Sequence, residues 1–371
     1  MDFDFSDDQL ALRDAVARWV EKAYGFERRR GIVAACGFDR GVWQEMAELG
    51  LTGLTVPADD GGLGYGAVEA MVVMEALGGG LVLEPLAQAL IAARLLATRA
   101  DAATRVAWLP QLASGEALIV LAHQERRARY RLDVCDAQAT PRAEGGHALS
   151  GLKNLVPAGD QADAFLVSAR LDGALALFLV PRGEGVAVRG YGTQDGGRAA
   201  DVQFDRAAAV RVWEDGLAAL ELAQDVGIAA LAAYAVGVMD RTLAVTVDYL
   251  NTRKQFGVPI ASFQALRHRV ADMKMQLELA RSMSYYASLK LDAPADERRR
   301  ALSRAKVQLG QSMRFVGQQA VQLHGGIGVT DEYIVSHCFK TLTQLEMTWG
   351  DTLHHLGEVS ARMQDTAGVF A

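Results

Sequence analysis

Hydrophobic and polar positions follow two different periods along this chain, and the changes between them divide it into three parts. Up to about residue 112, apolar residues recur at helical spacing, as Leu10 and Val16 do behind Ser6, a residue type that favours helix N-caps. Between about 113 and 212, short apolar runs are separated by Gly, Asp and Pro, which is typical of strands and turns. From about 213 the helical spacing returns.

The first part predicts a series of helices joined by loops. Gly50 ends one helix, and the run Leu51–Tyr65, with its proline, paired acids and glycines, has the composition of a loop. The predicted helices are one that begins after Ser6, Trp43–Leu49, and about 67–78, 84–97 and 101–112.

The middle part predicts an antiparallel β unit, a small barrel or a sandwich. No strand–helix–strand alternation occurs and no GxGxxG follows a strand, so a Rossmann domain is not expected. The predicted strands lie in Ala117–Ala122, Ala164–Ala169, Ala174–Val180 and Val202–Phe204.

The last part predicts a helical bundle, because three long segments each carry one apolar stripe with steps of three and four residues. A fourth helix is predicted at about 332–366. The predicted domains are therefore an N-terminal α-helical domain (1–112), a middle antiparallel β domain (113–212) and a C-terminal four-helix bundle (213–371). The stripes begin at Ile228, Phe263 and Leu302 and end at Tyr249, Ala287 and Leu323.

Composition narrows the function classes. The net charge of −7 and the absence of a basic tail argue against nucleic acid as a partner. Three scattered cysteines and the lack of an HxxxH pair give no support for disulfides or a metal site. The apolar run Ile228–Met239 is too short to span a bilayer, and the acidic N-terminus is no targeting signal, so a cytoplasmic protein is expected.

The stretch Tyr249–Lys274 joins two long helices through a Gly-Val-Pro turn, with Ser262 as the predicted N-cap of the second helix. Arg253, Gln255, Phe256 and Gln264 cluster around this turn. One interpretation is a clamp on a large anionic, aromatic ligand. The other is a polar corner between helices with a satisfied arginine.

A second motif, Gln322 to Tyr333, reads QLHGGIGVTDEY. Its paired glycines, Gly325 and Gly326, would let a ligand approach bare backbone, and the amide of Gln322 can contact a base edge or a phosphate. The alternative is an ordinary glycine cap at a helix C-terminus.

Taken together, these stretches resemble the acyl-CoA dehydrogenase family of flavoproteins over nearly the whole chain. The resemblance is carried by DFSDDQLALRDAVARW, WQEMAELGLTGLTVPADDGGLG, RKQFGVPIASFQALRHRVADM and QLHGGIGVTDEY, in this order. More narrowly, the chain is similar to the small subunit of pimeloyl-CoA-type dehydrogenases. The family fold has an N-terminal α-helical domain, a middle antiparallel β-barrel and a C-terminal four-helix bundle.

The resemblance implies FAD as cofactor, an acyl-CoA substrate and an oligomer, with an electron-transfer flavoprotein as a further partner. Arg253, Phe256 and Gln264 would contact FAD bound mainly by a neighbouring subunit. Gln322, Gly325 and Gly326 would line the adenosine and diphosphate end. An arginine suits a diphosphate because it is a permanent cation with several planar donors.

The chain departs from the family where the catalytic base is expected. The usual glutamate position, counted from the paired glycines, is Trp349, and the alternative base position of some relatives is Gly227, followed by Ile228. Glu346, one helical turn before Trp349, is the first candidate for a relocated base. Asp351 is the second. Asp225 matches a family aspartate, but its expected role is a helix cap.

Two segments that the family places beside the flavin also differ. The Thr-Glu-Pro and Gly-Ser loop reads HQERRARYRLDV, and an aromatic-isoleucine-hydroxyl segment reads Leu155-Val156-Pro157. Proline has neither an N–H nor a hydroxyl to offer a flavin.

These departures lead to the hypothesis of a partner subunit that completes the FAD site of a second, catalytic acyl-CoA dehydrogenase subunit in a heterotetramer. A self-sufficient homo-oligomeric dehydrogenase with a relocated base remains the competing enzymatic hypothesis. A non-enzymatic binder on this scaffold, as in family members linked to DNA damage, is the third.

Overall fold

A computed structural model describes residues 5–363 of the chain. The chain forms two compact units. The first contains the chain up to Arg29, Ala67–Val82 and the chain from Ile228 onward, and the second contains Arg30–Gly66 and Leu83–Gly227. The first residue of the N-terminal motif, Asp4, and positions 364–366 of the predicted fourth helix lie outside the described residues.

The N-terminal third is helical, as the sequence predicts, and its first helix has the predicted cap. The Ser6 hydroxyl accepts from the Gln9 N–H while the Gln9 side chain accepts from the Ser6 N–H, so two otherwise unpaired donors are satisfied. The helices are α1 (Asp7–Ala23), α2 (Phe26–Ala35), α3 (Arg40–Glu48), α4 (Ala67–Gly79), α5 (Leu86–Arg99) and α6 (Ala102–Ala113).

Helix α2 is missing from the prediction because its sequence, FERRRGIVAA, lacks an apolar stripe. It is anchored instead by a buried arginine. The guanidinium of Arg29 is fully buried and donates to the Leu81 carbonyl at 3.0 Å. In a hydrophobic–polar pattern an arginine counts as a surface residue, so the pattern does not indicate that this side chain is buried.

The middle region is a closed β-barrel. Strands β4, β2, β3, β7 and β5 pair in that order, and β5 pairs back with β4. Strand β1 extends the β4 edge and β6 pairs with β7. The strands are β1 (Ile119–Ala122), β2 (Gln138–Pro141), β3 (His147–Pro157), β4 (Ala164–Leu171), β5 (Ala174–Pro181), β6 (Val186–Gly192) and β7 (Arg198–Trp213).

The predicted all-antiparallel pairing needs a correction, since β4 pairs in parallel with both β1 and β2. These three strands are not joined by hairpins, so nothing forces their directions to alternate. The predicted runs became β1, β4, β5 and part of β7. Strands β2, β3 and β6 escaped prediction because they are short, interrupted or largely exposed on one side.

The C-terminal region is helical around the three predicted stripes. Helix α7 (Gly216–Thr252) is followed by a small hairpin, then by α8 (Gln264–Lys290) and α9 (Ala295–His324). Helix α7 is long and apolar enough to cross a membrane, but 94% of its most apolar window is buried, so it is a core helix. Buried stripe residues include Ala235, Val238, Leu277, Ala280, Leu309 and Met313.

The predicted fourth helix is broken into α10 (Ile334–Met347) and α11 (Thr352–Met363). The break lies at Trp349 and Gly350, which have left-handed φ values of +63° and +108°. A Cβ added at Gly350 would lie 2.5 Å from the His354 ring, so this turn requires glycine. Nothing in the 3.6-residue pattern of this segment reveals such a turn.

Two glycines let α4 cross α7 backbone to backbone in the first unit. A Cβ on Gly78 would lie 2.0 Å from the Tyr234 carbonyl oxygen, and one on Gly237 would lie 1.9 Å from the Glu75 carbonyl oxygen. The N-terminal helices α1 and α4 therefore pack with the C-terminal bundle, whereas α5 and α6 pack with each other and α5 with β1.

Candidate functional site

The Arg253 motif is built as a tight hairpin at the end of α7. Strand β8 (Lys254–Gln255) pairs with β9 (Val258–Pro259), and Phe256 and Gly257 form the two-residue turn with φ values of +54° and +81°. Glycine adopts this conformation without strain, whereas a phenylalanine there is unusual. The ring of Phe256 is 90% exposed. An exposed aromatic at a strained position is a functional candidate.

Arg253 sits at the base of this hairpin with its backbone fixed on both sides. Its N–H donates to the Tyr249 carbonyl at 2.8 Å, and its carbonyl accepts from the Ile260 N–H at 2.9 Å. The side chain is exposed. Within residues 5–363 no carboxylate forms an ion pair with it, so its charge is available to a ligand.

Gln264 is the first residue of α8 and is exposed. The predicted cap of this helix, Ser262, needs a correction. Its hydroxyl donates to the Pro259 carbonyl at 2.7 Å, and the N-cap position is Phe263, which makes no side-chain cap. The helix start thus keeps backbone donors that no side-chain cap satisfies, next to the Arg253 hairpin.

The Gln322 motif is the end of α9 and the 3₁₀ turn Gly325–Val329 that follows it. Gly325 has φ +60° and ψ −139°, a conformation that is essentially restricted to glycine, and its N–H donates to the Gln322 carbonyl. Apart from the chain neighbours, no heavy atom of residues 5–363 lies within 4 Å of a Cβ added at Gly325 or Gly326. The two glycines expose backbone beside open space, and Gln322 is exposed next to them.

The structure brings these two motifs together through residues that the sequence reasoning did not select. Tyr249, one helical turn before Arg253, stacks on His324, the residue directly before Gly325, with ring centroids 4.4 Å apart. Tyr333 completes the group at 5.2 Å from the His324 ring. The only sequence signal was the presence of aromatic residues beside each motif, which does not reveal contact between them.

Glu346 is buried and its carboxylate is occupied. Oε1 accepts from the Thr352 N–H at 3.0 Å, from the Thr352 hydroxyl at 2.7 Å and from the Arg314 guanidinium at 3.3 Å. Glu346 therefore closes the gap between α10 and the start of α11, where the backbone donors of a helix lack partners. Trp349 packs partly buried against the bundle core.

A buried lysine, Lys306, is hydrogen-bonded to the turn around Trp349. The Lys306 ammonium donates to the carbonyls of Leu345, Glu346 and Gly350 at 3.0, 2.7 and 2.9 Å. Burial lowers the pKa of Lys306 from 10.5 to about 7, against the opposing effect of Glu346. These contacts make the segment 345–350 a rigid structural turn.

In the β unit, the segment Leu155-Val156-Pro157 offers few free donors. The Leu155 N–H donates to the Tyr191 hydroxyl at 3.2 Å, and Tyr191 in turn donates to Asp201 at 3.1 Å. The N–H groups of Asn154 and Ala158 are also bonded within the unit. Pro157 has none.

The loop HQERRARYRLDV is anchored by a buried ion pair. Glu125 accepts from the ammonium of Lys153 at 2.6 Å and from the N–H groups of Asp136 and Ala137 at 2.6 and 3.1 Å. Burial acts to raise the pKa of Glu125, but the Lys153 charge and these hydrogen bonds outweigh it and keep that pKa below its usual value. Arg127 and Arg131 pair with Asp136 and Asp133 on the loop surface.

The expected cap role of Asp225 is wrong. Asp225 lies in the middle of α7 and is fully buried, and the helix start is bonded instead by Asp215, which accepts from the Ala218 N–H at 3.0 Å. Gly227 and Ile228 follow in the same helix, so no carboxylate stands at the alternative base position.

Two family profiles match the chain. The one described as acyl-CoA dehydrogenase, N-terminal domain, matches residues 6–116, and the one described as acyl-CoA dehydrogenase, C-terminal domain, matches residues 214–363. The second match contains both the Arg253 hairpin and the Gly325–Gly326 turn.

Whole-chain relatives agree with the profiles. The acyl-CoA dehydrogenases FadE27 and FadE12 of Mycobacterium tuberculosis are 29% and 31% identical to this chain, each over 89% of both sequences. In the solved ChsE4–ChsE5 complex from Mycobacterium tuberculosis, a chain of 26% identity superposes with a TM-score of 0.88 over 99% of this chain and 100% of that one. This chain therefore belongs to the acyl-CoA dehydrogenase family, whose members are FAD-dependent oxidoreductases that act on CH–CH bonds.

Proposed function

We propose that this chain is the partner subunit of a heteromeric acyl-CoA dehydrogenase and completes the FAD site of a second subunit that carries the catalytic base. The proposal depends mainly on which residues stand at and near the position where the family has its catalytic base. Trp349 stands where the glutamate is expected, and the carboxylate of Glu346, one turn away, is bound by Thr352 and Arg314. We therefore assign Glu346 a structural role in place of the catalytic one.

The residues proposed to face a neighbour's FAD fit that cofactor. Arg253 offers a diphosphate an exposed cation that pairs with no carboxylate among residues 5–363, and Phe256 offers an exposed ring for an aromatic system. Gln264 adds an exposed amide at a helix start. Open backbone at Gly325 and Gly326, with Gln322 beside it, suits close approach of the adenosine and diphosphate end.

When bound, FAD would accept the hydride in the desaturation of an acyl thioester. The residues of this chain would hold the cofactor: Arg253 would neutralise the diphosphate, and the glycine turn would let the cofactor approach bare backbone. Because the base would come from the other subunit, the acidic residues of this chain are assigned no proton transfer.

The β unit supports the same assignment. The backbone donors on either side of Val156 are used within the unit, and Pro157 supplies none. The arginines of the neighbouring loop replace the small and hydroxyl-bearing residues of the family pattern, and a buried ion pair fixes that loop. A flavin bound by these segments would lack the hydrogen bonds that the family pattern provides.

A heteromer is also a known arrangement for relatives of this chain, since ChsE4 and ChsE5 were solved as a complex. The finer parts of the proposal are a role like that of the pimeloyl-CoA-type small subunit, a bulky, dicarboxylic or ring-bearing acyl-CoA as substrate, an electron-transfer flavoprotein as electron acceptor, and a cytoplasmic location. The first three rest on the sequence resemblance.

The test is to express the chain alone and together with a candidate catalytic subunit, and to count FAD per purified assembly. We expect little flavin and no bleaching by acyl-CoA for the chain alone, and a flavinylated, active enzyme for the pair. A fully flavinylated homo-oligomer that acyl-CoA bleaches would support the self-sufficient dehydrogenase and overturn the proposal.

A further inference from the structure

Three aromatic rings meet where the two cofactor motifs converge in the first unit. The Tyr249 and His324 rings are stacked, with centroids 4.4 Å apart and planes inclined by 28°. Tyr333 tilts against His324 at 5.2 Å and stands edge-on to Tyr249 at 6.3 Å. The Tyr249 hydroxyl also donates to the His324 carbonyl at 3.4 Å. We call these three residues the aromatic cluster.

The hydrogen bonds of His324 define its tautomer. Nδ1 lies 2.8 Å from the Ala320 carbonyl oxygen, so it carries the proton and donates. Nε2 then has only a lone pair, and no donor within residues 5–363 reaches it. The residue is 97% buried, and this burial lowers the pKa of the ring, against the opposing effect of the Ala320 carbonyl.

Each member of the cluster is attached to a different segment. Tyr249 precedes Arg253 by one helical turn, and the Arg253 N–H is bonded to the Tyr249 carbonyl. His324 is covalently next to Gly325, whose strained backbone opens the glycine turn. Tyr333 is the N-cap residue of α10. A shift of the His324 ring would move the glycine turn relative to the Arg253 hairpin.

We propose that His324 is a positioning residue, which sets the glycine turn and the Arg253 hairpin at the spacing that binds the adenosine diphosphate half of FAD. This inference rests on the proposed function, because it assumes that the two motifs share one FAD. His324 acts through its ring, which packs against both tyrosines, and through its fixed attachment to Gly325. The Nδ1 hydrogen bond ends on the Ala320 carbonyl within α9, so it connects His324 to neither tyrosine.

The experiment compares two substitutions in the assembled enzyme. His324→Phe keeps an aromatic ring against both tyrosines, whereas His324→Leu keeps bulk but removes the stacking. The measurements are the Kd values of FAD and of ADP, as a probe of the adenosine diphosphate half. We expect His324→Leu to weaken the binding of FAD and of ADP by about tenfold, in line with the strength of an aromatic pair. For His324→Phe we expect both Kd values to stay within about threefold of those of the natural protein.

Two controls separate positioning from general loss of structure. Phe204→Leu removes one ring of an edge-to-face pair in the β unit, with Phe165 at 5.8 Å, and is expected to lower the Tm without changing the Kd of ADP. If His324→Leu fails to fold, Tyr333→Leu tests the same cluster at its half-buried member. It is expected to weaken ADP binding by the same factor.

Unchanged ADP binding in His324→Leu, or equal weakening in His324→Phe and His324→Leu, overturns the positioning role. Arg253→Ala in parallel separates this failure from failure of the proposed function. If Arg253→Ala weakens ADP binding and His324→Leu does not, the FAD-binding role of Arg253 is supported and only the positioning role of His324 is wrong. If Arg253→Ala has no effect either, the clamp itself is wrong.

Discussion

The carboxylate of Glu346 accepts both the N–H and the hydroxyl of Thr352, at 3.0 and 2.7 Å, across the break between α10 and α11. A group used in this way stabilises a helix start and has little freedom to abstract a proton from a substrate. The second carboxylate near the expected base position, Asp351, accepts from the His354 N–H at 2.8 Å. Both candidate carboxylates thus bond to backbone N–H groups at the start of α11, which agrees with the proposal that the base comes from another subunit.

Glu346→Ala should reduce stability and leave catalysis in the assembled enzyme unchanged. Loss of a capping acceptor lowers the free energy of unfolding by about 1–2 kcal/mol, and it also removes a negative charge close to Lys306 and Arg314. Denaturant unfolding and kcat of the heteromer are the measurements. Glu144→Ala, at an exposed turn, is the control and should change neither. A drop in kcat of a hundredfold or more in a folded Glu346→Ala enzyme would contradict the structural role.

Gly237→Ala should destabilise the first unit because its new Cβ would meet the Glu75 carbonyl at 1.9 Å. Separating two closely packed helices has a typical effect of about 1–3 kcal/mol on the free energy of unfolding. Gly357→Ala in α11 is the matched control, since no heavy atom from another part of the described chain lies within 4 Å of its added Cβ. That change should be neutral or stabilising by up to about 1 kcal/mol. Equal effects of the two substitutions in urea unfolding would contradict the close crossing of α4 and α7.

Lys306 should make stability depend on pH in a defined direction. Its folded-state pKa is about 7, whereas an unfolded lysine titrates near 10.4, so between these values the unfolded chain binds more protons. The free energy of unfolding should therefore rise with pH from about 7 to 10, by at most about 1.4 kcal/mol per unit. The destabilising contribution is fully present below pH 7 and is relieved above it.

The measurement for Lys306 is the difference in unfolding free energy between the natural protein and Lys306→Met at pH 6, 7, 8 and 9. The subtraction removes all groups that titrate equally in both proteins. We expect the difference to shift in favour of the natural protein as pH rises above 7. A difference that stays constant over this range would show that the Lys306 pKa is not lowered.

The parts of this structure that the sequence predicts are those governed by local periodicity. The stripes of α7, α8 and α9 repeat over several turns, so they identify both the helices and their buried faces. The apolar runs of β4 and β5 are equally plain. Helix α2 was not predictable, because its anchor, Arg29, is a buried charge, and the turn at Trp349 depends on a contact with Lys306 from a distant helix.

In the candidate site, too, the sequence predicts some features and not others. Arg253 and Gly325 stand out as motifs because their chemistry is visible in single residues. The contact between Tyr249 and His324 is invisible to such reasoning, because the two residues are 75 positions apart and each looks like an ordinary core residue. The hydrogen bonds from Thr352 to the Glu346 carboxylate could not be predicted either. They depend on the helix break that exposes the Thr352 N–H, and no periodic pattern in the sequence marks that break.

Arg253→Ala in the heteromer tests the central claim most directly, because it asks whether this chain holds a cofactor used by another. The FAD content of the purified assembly is measured from its flavin absorbance, and assembly size by light scattering, with Arg13→Ala on α1 as an exposed control. We predict that Arg253→Ala loses FAD, by tenfold or more in affinity, while the assembly stays intact and Arg13→Ala keeps its flavin. Full flavin content in the Arg253→Ala assembly would contradict the account.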